Sequence, residues 1–327
     1  MYSSKIDVAV LILFFNRPDH VARVFEQVRL ARPSKLYLYQ DGARPNRPDD
    51  IENVKKCREA VSNIDWECEV HYNYQEKNYG CDPSEYLAQK WMFEMEEMGI
   101  VLEDDDVPSQ SFFLYCKELL EKYKSDDRVN MICGMNNTGV SKHIKDSYLF
   151  TCKGSIWGWA SWKRVIDTWD DSYSWLNDIA KLEKIKKQMK PKEYERFIAN
   201  ATRHAESGRA HYESINAAFM YLHDRLNIVP KYNMISNIGI GLESTHSTDD
   251  IRLLPKKTQK LMFMKTYEID FPLSHPSQIE RDFKFENKMT YSGFDMFCMR
   301  VEAGIRSFVY QGPKKFLERL SKRIKRT

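Results

Sequence analysis

Apolar residues in the first third of the chain alternate between unbroken runs and helical repeats. Residues 8–15 form an unbroken, partly β-branched run, which predicts a strand buried on both faces. The run ends at Asn16-Arg17-Pro18. Pro18 suits a first helical turn, and Val21, Val24, Phe25 and Val28 then recur at helical spacing. A second strand, residues 35–39, stops at the turn signal Gln40-Asp41-Gly42. A third, around residues 69–72, leads into Asn78-Tyr79-Gly80. Asp82 and Pro83 then read as the cap and first turn of a helix reaching about Met98, with Gly99 as its stop. Residues 100–102 form a short strand that runs straight into Glu103.

The second half is less regular. Residues 111–123 and 211–222 read as helices, 129–133 as a strand, and 179–205 as a charged, mostly helical stretch. A strand-like segment at 226–235 precedes a loop at 236–247. There is no internal repeat, low-complexity segment or interdomain linker. Strands alternating with helices imply parallel β-α-β units, whose ligands bind at the carboxyl ends of the strands. Arg17, Asp41, Asn78 and the acidic cluster Glu103-Asp104-Asp105-Asp106 all fall just past predicted strand ends, so they are expected to converge on one crevice. The expected organisation is one catalytic domain over residues 1–250, with a nucleotide-binding half to residue 110 and an acceptor half after it. A helical extension covers 251–327.

Composition narrows this little. Hydrophobic residues make up 42% of the 327 and charged residues 30%, as in a globular protein. A net charge of +3 gives no general attraction to nucleic acid. Seven scattered cysteines, with no C-x-x-C spacing, suit reduced thiols rather than a zinc site or disulfides. Asp7 interrupts the approach to the first apolar run, so no signal peptide is expected, and that run is too short to span a bilayer. A cytoplasmic setting follows as the expectation.

Chemistry is concentrated at Glu103–Asp106. Consecutive carboxylates repel, and a strand end has no helix dipole to offset that. A divalent cation removes the problem, and magnesium or manganese takes oxygen ligands while bridging to phosphates. A solvated acidic turn is the simpler reading of the cluster taken alone.

Its surroundings go further. Val101-Leu102-Glu103-Asp104-Asp105-Asp106-Val107-Pro108, followed by Ser111-Phe112-Phe113, resembles the E-D-D segment and P-x-F-F continuation of animal N-acetylglucosaminyltransferase I. It also resembles the matching segment of bacterial family 2 type glycosyltransferases with the GT-A fold. Phe15-Asn16-Arg17-Pro18 and Gln40-Asp41-Gly42 look like that family's two nucleotide-binding loops, and Asn78-Tyr79-Gly80-Cys81 is similar to its N-x-G-C segment. Gly154-Ser155-Ile156-Trp157-Gly158-Trp159 looks like its acceptor-side loop, and residues 227–241 with Thr245-His246 like its closing segment. These motifs lie in order over residues 8–247.

The resemblance implies a GT-A fold: a Rossmann-like, mostly parallel sheet flanked by helices. It implies metal-dependent, inverting transfer of a sugar from a nucleotide sugar, with UDP the expected nucleotide, to a hydroxyl of a glycan or lipid-linked acceptor. Bacterial surface polysaccharide or glycolipid synthesis is the expected setting. Arg17 and Asp41 would contact base or ribose, with Asn78 and Gly80 in the same donor site. Asp105 would bind Mn2+ or Mg2+, with Asp106 as a further candidate, and Glu103 and Asp104 would contact ribose or groups around the metal. His246 would reach the diphosphate or metal as its loop closes. Standing alone, Arg17 would read as a helix-start residue and Asp41 as a turn residue.

An inverting transfer needs a general base at the acceptor hydroxyl. The bacterial relatives carry a W-D-Y segment ahead of an I-V-P strand; at that spacing this chain has Tyr212-Glu213-Ser214. Glu213 is therefore the candidate base, with Asp170 and Asp171 competing. Glutamate in place of aspartate shifts the reacting oxygen by about one C–C bond, enough to matter for rate. Of the clustered tryptophans, Trp157 and Trp159, beside Gly158, are expected to face the acceptor, because aromatic faces stack on sugar rings. Two rivals stay open. A sugar-phosphate nucleotidyltransferase would be expected to carry a glycine-rich N-terminal loop, which Asn16-Arg17-Pro18 lacks. A non-catalytic carbohydrate- or nucleotide-binding relative of the fold is the other. Finally, residues 314–327 hold seven Lys and Arg against one acid, Glu318, with Phe316, Leu317, Leu320 and Ile324 at helical spacing. Such a helix either packs on the domain or lies on an anionic membrane, here the inner face of the plasma membrane.

Overall fold

The computed structural model describes residues 2–240 and 250–324, with side chains to residue 313. The first half runs β1 (Ile6–Phe14), α1 (Pro18–Ala31), β2 (Pro33–Gln40), α2 (Pro48–Ala60), β3 (Glu69–Tyr74), α3 (Cys81–Met95), β4 (Met98–Glu103), β5 (Asp106–Pro108) and α4 (Gln110–Lys122). The second half continues through β6 (Val129–Cys133), β7 (Tyr148–Thr151), β8 (Trp159–Trp162), α5 (Lys163–Ile166), α6 (Ile179–Lys186), α7 (Pro191–Glu206), α8 (Tyr212–Leu222), β9 (Leu226–Pro230) and β10 (Ile235–Asn237). After residue 250 come α9 (Lys256–Gln259), α10 (Phe283–Met289) and α11 (Gly293–Ile324).

Eight strands form one sheet in the order β3-β2-β1-β4-β8-β6-β9-β7, and β10 pairs antiparallel with β5 in a small second sheet. The first four are mutually parallel. Only β8 and β7 oppose the common direction, so the sheet is mostly parallel and flanked by helices, a Rossmann-like α/β arrangement. Strand order reverses at β1, with β2 on one side and β4 on the other. The crevice beyond the carboxyl ends of β1 and β4 is where such sheets bind ligands.

β1 explains why its sequence is apolar without alternation. Val10, Ile12 and Phe14 face a core made with Val21, Val24, Phe25 and Val28 of α1 and Phe112 and Phe113 of α4. Ala9, Leu11 and Leu13 face a second core with Met92 and Phe93 of α3 and Trp159 of β8. Both faces of the strand are covered, so both must be apolar.

Several expectations are corrected. Gly99 does not stop a helix: α3 ends at Met95, and Gly99 lies inside β4, where a Cβ would meet Met92 Cε at 2.7 Å. Asp82 lies within the first turn of α3 rather than capping it. The stretch 179–205 is two helices, α6 and α7, with Pro191 opening the second. The strand expected at 226–235 splits into β9 and β10, which join different sheets. α2 escaped the pattern reading, although Pro48 followed by Asp49 and Asp50 is a helix-start signal. The extension after 250 is not uniformly helical. Its irregular part packs Leu273 into the main core, and Glu268 accepts from the backbone N–H groups of Gln110 and Ser111 at 3.0 and 2.6 Å, capping α4.

One buried polar knot fixes the loop between β1 and α1. Asp50, fully buried on α2, accepts from Asn16 Nδ2 at 2.7 Å, from Arg44 Nε at 2.6 Å and Nη2 at 2.7 Å, and from the Arg44 N–H at 3.1 Å. The Arg44 hydrogen bonds hold its carboxyl down at about 2. Asp50→Ala leaves buried Asn16 without this acceptor and removes the ion pair with Arg44. The expected loss is about 2 kcal/mol, below that of a fully buried pair because the Arg44 side chain is partly exposed. Asp50 stabilises only while it is ionised in the folded protein and would be protonated less readily than in the unfolded chain. Its contribution is therefore complete above an unfolded value of about 4 and fades as pH falls toward 2. Urea unfolding of both proteins should show the gap at pH 7 closing between pH 4 and pH 2; a gap that persists to pH 2 contradicts this role.

Candidate active site

Pro18 opens α1 directly after β1, so Arg17 is held at the strand end. Its guanidinium crosses to the end of β4. Nε donates to Asp104 Oδ2 at 3.2 Å, and Nη2 donates to Asp104 Oδ1 and, at 2.9 Å, to Asp105 Oδ2. Burial works against its charge, but the two carboxylates outweigh it and raise the guanidinium pKa above its ordinary value. Asp41, just past β2, is saturated. Oδ1 accepts the N–H groups of Gly42 and Tyr79, each at 2.9 Å; Oδ2 accepts Gly80 N–H at 3.0 Å and Asn78 Nδ2 at 2.9 Å. It clamps the loop that delivers α3. Gly80 is required there, since its φ is +87°. Burial raises the Asp41 pKa while these donors resist. Phe15, Arg17, Asp41, Asn78, Glu85 and Glu103 line a cavity of about 150 Å³ at this point, with Gly80 and Asp104 also in its wall.

Glu103, Asp105 and Asp106 each bring an oxygen within 4.8 Å of the others. β10 supports them. Asn237 Nδ2 donates to Asp105 Oδ1 at 2.8 Å and Asp106 Oδ1 at 3.1 Å, and its own Oδ1 accepts Gly239 N–H at 3.0 Å. Gly158 N–H donates to Asp106 Oδ2 at 2.8 Å, and the Tyr212 hydroxyl donates to Glu103 Oε1 at 3.3 Å. Arg17 neutralises Asp104 and part of Asp105, but Glu103 and Asp106 meet neutral donors. Burial, and then the neighbouring carboxylates, push both well above the carboxylate range. Buried, converging oxygen donors short of positive charge suit a hard divalent cation such as Mg2+ or Mn2+. Gly239 passes so close that a Cβ on it would lie 2.0 Å from Asp105 Oδ2.

A wider cleft of about 720 Å³ opens on the other side, lined by Lys153, Trp157, Glu193, Arg196, Glu213 and Asn216 among others. The first turn of α8 bridges the two spaces: Tyr212 touches Glu103, and Glu213 faces the cleft. Glu85 on α3 lines the small cavity. Desolvation, with the charges of Glu213, Asp82 and Asp105, pushes its carboxyl up to about 8, and Cys81 Sγ donates to it at 2.9 Å. Beside Glu213 stand His204 and His211, whose rings stack at 3.9 Å. Burial, then the His211 and Arg203 charges, lower His204 to about 4.

The expected residues thus divide. Arg17, Asp41, Asn78, Gly80, Glu103 and Asp104 share the cavity; Asp105 and Asp106 lie buried at its inner edge; Trp157 and Glu213 line the cleft. Trp159 does not face an acceptor. It is buried on β8 and stacks on Phe93 and Tyr212, with ring centroids 6.4 and 6.2 Å away. Gly158 acts through its N–H and a φ of +62°, holding Asp106 rather than an acceptor. Asp170 is spent on the backbone and hydroxyl groups of Ser172 and Ser174, which outweigh burial and hold its pKa low; Asp171 is exposed. Neither lines the cavity or the cleft. His246 lies outside the described residues. Sequence reading gave no role to Asn237, Tyr212 or Glu85, because nothing in their local pattern tells which carboxylate they will meet.

No family model matches the chain, and no curated protein matches it in sequence. Among solved structures it is similar to UDP-glucose pyrophosphorylase complexed with UDP-glucose, with 10% identity over 70% of this chain and 92% of that one and a TM-score of 0.36. It is also similar to the apo form of UDP-glucose pyrophosphorylase, with 9% identity, 71% and 93% coverage and a TM-score of 0.34. Likeness this weak decides neither fold nor chemistry, which rest on the strand order and the residues at its switch point.

Proposed function

We propose that the chain is a metal-dependent, inverting glycosyltransferase that moves a sugar from a nucleotide sugar, UDP-linked by preference, to a hydroxyl of a glycan or lipid-linked acceptor. The observation that carries this reading is the placement of the acidic cluster. Glu103, which brings an oxygen near those of Asp105 and Asp106, lines the small cavity at the β1–β4 switch point and accepts from Tyr212, whose neighbour Glu213 lines a wide cleft that also bears an indole. One space suits a nucleotide and the other a sugar acceptor.

In this reading Asp105 and Glu103 would hold Mn2+ or Mg2+, with Asp106 as a further ligand. The cation would stabilise charge on the departing diphosphate. Asp41 keeps the 78–80 loop in place against the nucleotide, and Arg17 orients Asp104 and Asp105. Glu213 accepts the proton of the acceptor hydroxyl as its oxygen bonds to the anomeric carbon; the bond from that carbon to the diphosphate breaks, and the nucleotide leaves with the electron pair. Trp157 offers a flat face to the acceptor ring. A second reading, nucleotidyl transfer to a sugar phosphate, draws on the two arginines, Arg17 and Arg44, at the cavity. The products separate the two. Manganese-dependent release of UDP from a UDP-sugar supports the first; pyrophosphate from UTP and a sugar 1-phosphate supports the second.

Asp105→Ala is expected to abolish metal-dependent nucleotide-sugar binding, read by thermal shift with and without manganese, while the melting temperature without ligand stays near that of the wild type. Gly239→Ala should mimic it, since the added methyl displaces Asp105 Oδ2. If Asp106→Ala removes binding and Asp105→Ala does not, the assignment of the metal ligand fails. Glu213→Gln should lower kcat by about 10²–10⁴-fold with little change in KM. An unchanged kcat would remove Glu213 as the base and turn attention to Glu85.

A further inference from the structure

Helix α11 turns a row of large apolar side chains outward. Met296, Met299 and Ala303 are half-buried on its inner side and Ser307 is buried there, and polar pairs flank that contact. Asp295 pairs with Lys257 at 2.7 Å; Glu302 accepts from the Lys256 N–H at 3.1 Å and Arg306 Nε at 2.8 Å; Arg306 Nη1 donates to the Arg252 carbonyl at 3.1 Å. Next to these pairs, facing outward, stand Phe294, Phe297, Val301, Ile305 and Val309, which are 75, 62, 44, 59 and 64% exposed. Their three- and four-residue spacing sets them in one stripe along the helix. A groove of about 610 Å³ runs beside it. A surface helix of a globular domain turns its apolar stripe inward. A contiguous apolar stripe turned outward, uncovered by any described residue, marks an interaction surface.

Charge decides what it meets. From Gly293 onward the chain holds nine Lys and Arg against three acids, a net of +6; the whole chain is +3, so the preceding 292 residues carry −3. Asp295 and Glu302, two of the three acids, are neutralised by Lys257 and Arg306. Seven of the cations follow Gly312 in the sequence, where a φ of +82° beside Pro313 kinks the helix after the apolar stripe. Two copies joined in parallel through this face would bring two basic segments together. An anionic lipid surface attracts them and receives the aromatic and branched side chains at the boundary between headgroups and acyl chains.

We propose that the outer face of residues 294–309 inserts into the interfacial layer of an anionic membrane, with the basic segment 314–327 engaging the headgroups. This does not depend on the chemistry proposed for the acidic cluster. It differs from attachment by the basic segment alone in one respect: part of the binding survives screening of charge. No described helix is long and apolar enough to cross a membrane, so the contact is with one surface.

The test uses the full-length chain and vesicles of phosphatidylglycerol with phosphatidylcholine, or of phosphatidylcholine alone, at low salt and at about 0.5 M, where the Debye length is about 4 Å. The wild type is expected to float with anionic vesicles at both salt concentrations. A triple variant, Phe294→Ser, Phe297→Ser and Ile305→Ser, alters exposed side chains only and should keep its thermal melt. It should lose at least about tenfold of the high-salt partition. The variant Lys322→Glu, Arg323→Glu should instead lose mainly the low-salt part. Equal partition of wild type and triple variant overturns the proposal. So does a wild-type dimer, seen by light scattering, that ignores vesicles and dissociates in the triple variant, because the stripe then joins two copies.

Discussion

Crowded negative charge at the end of β4 is the constraint around which this molecule is arranged. Glu103 through Asp106 leave the sheet together, and Asp104, Asp105 and Asp106 are all buried. Buried charge of one sign is tolerated only when it is paired, hydrogen-bonded or neutralised. Each available remedy is supplied by a different part of the chain. Arg17 comes from the end of β1, Asn237 from β10, Gly158 from the approach to β8, and Tyr212 from α8. The small β5–β10 sheet exists at this point and brings the Asn237 amide onto both Asp105 and Asp106.

The same constraint links the cavity and the cleft. Because Tyr212 must reach Glu103, the first turn of α8 is held against the cluster, and Glu213 is carried to the cleft as its neighbour. Because Arg17 must reach Asp104 and Asp105, the β1–α1 loop is held across the cavity mouth, braced from behind by Asn16 and Asp50. Asp41 performs the matching task on the far wall, where four protein donors make it a clamp for the loop before α3. Several polar side chains that look like ligand contacts are thus scaffolding for the few that remain open.

A division of labour also runs along the chain. The first 292 residues carry a net negative charge and line the cavity and the cleft, while the last 35 carry the positive charge and an outward apolar stripe. The extension is nevertheless tied to the core before α11 by Leu273, by Glu268 at the start of α4, and by Phe285.

What the sequence determined by itself is whatever depends on neighbours a few residues away. The unbroken run at β1 announced a strand covered on both sides; the repeat of Val21, Val24, Phe25 and Val28 announced the helix covering one of them; and strand ends followed by Arg17, Asp41, Asn78 and Glu103 announced a common crevice. Boundaries failed where local signals conflict with packing. Gly99 reads as a helix stop but is in a strand pressed against Met92, and Trp159 reads as an exposed aromatic but is stacked between Phe93 and Tyr212. Only the tertiary structure decided which carboxylates are saturated and which stay open, since three of the four donors to Asp41 lie more than 35 residues away in sequence, and Gly158 and Asn237 lie more than 50 from Asp106. Composition and spacing cannot encode such pairings, because a hydrogen bond depends on where the sheet brings two strand ends together, not on how far apart they are written.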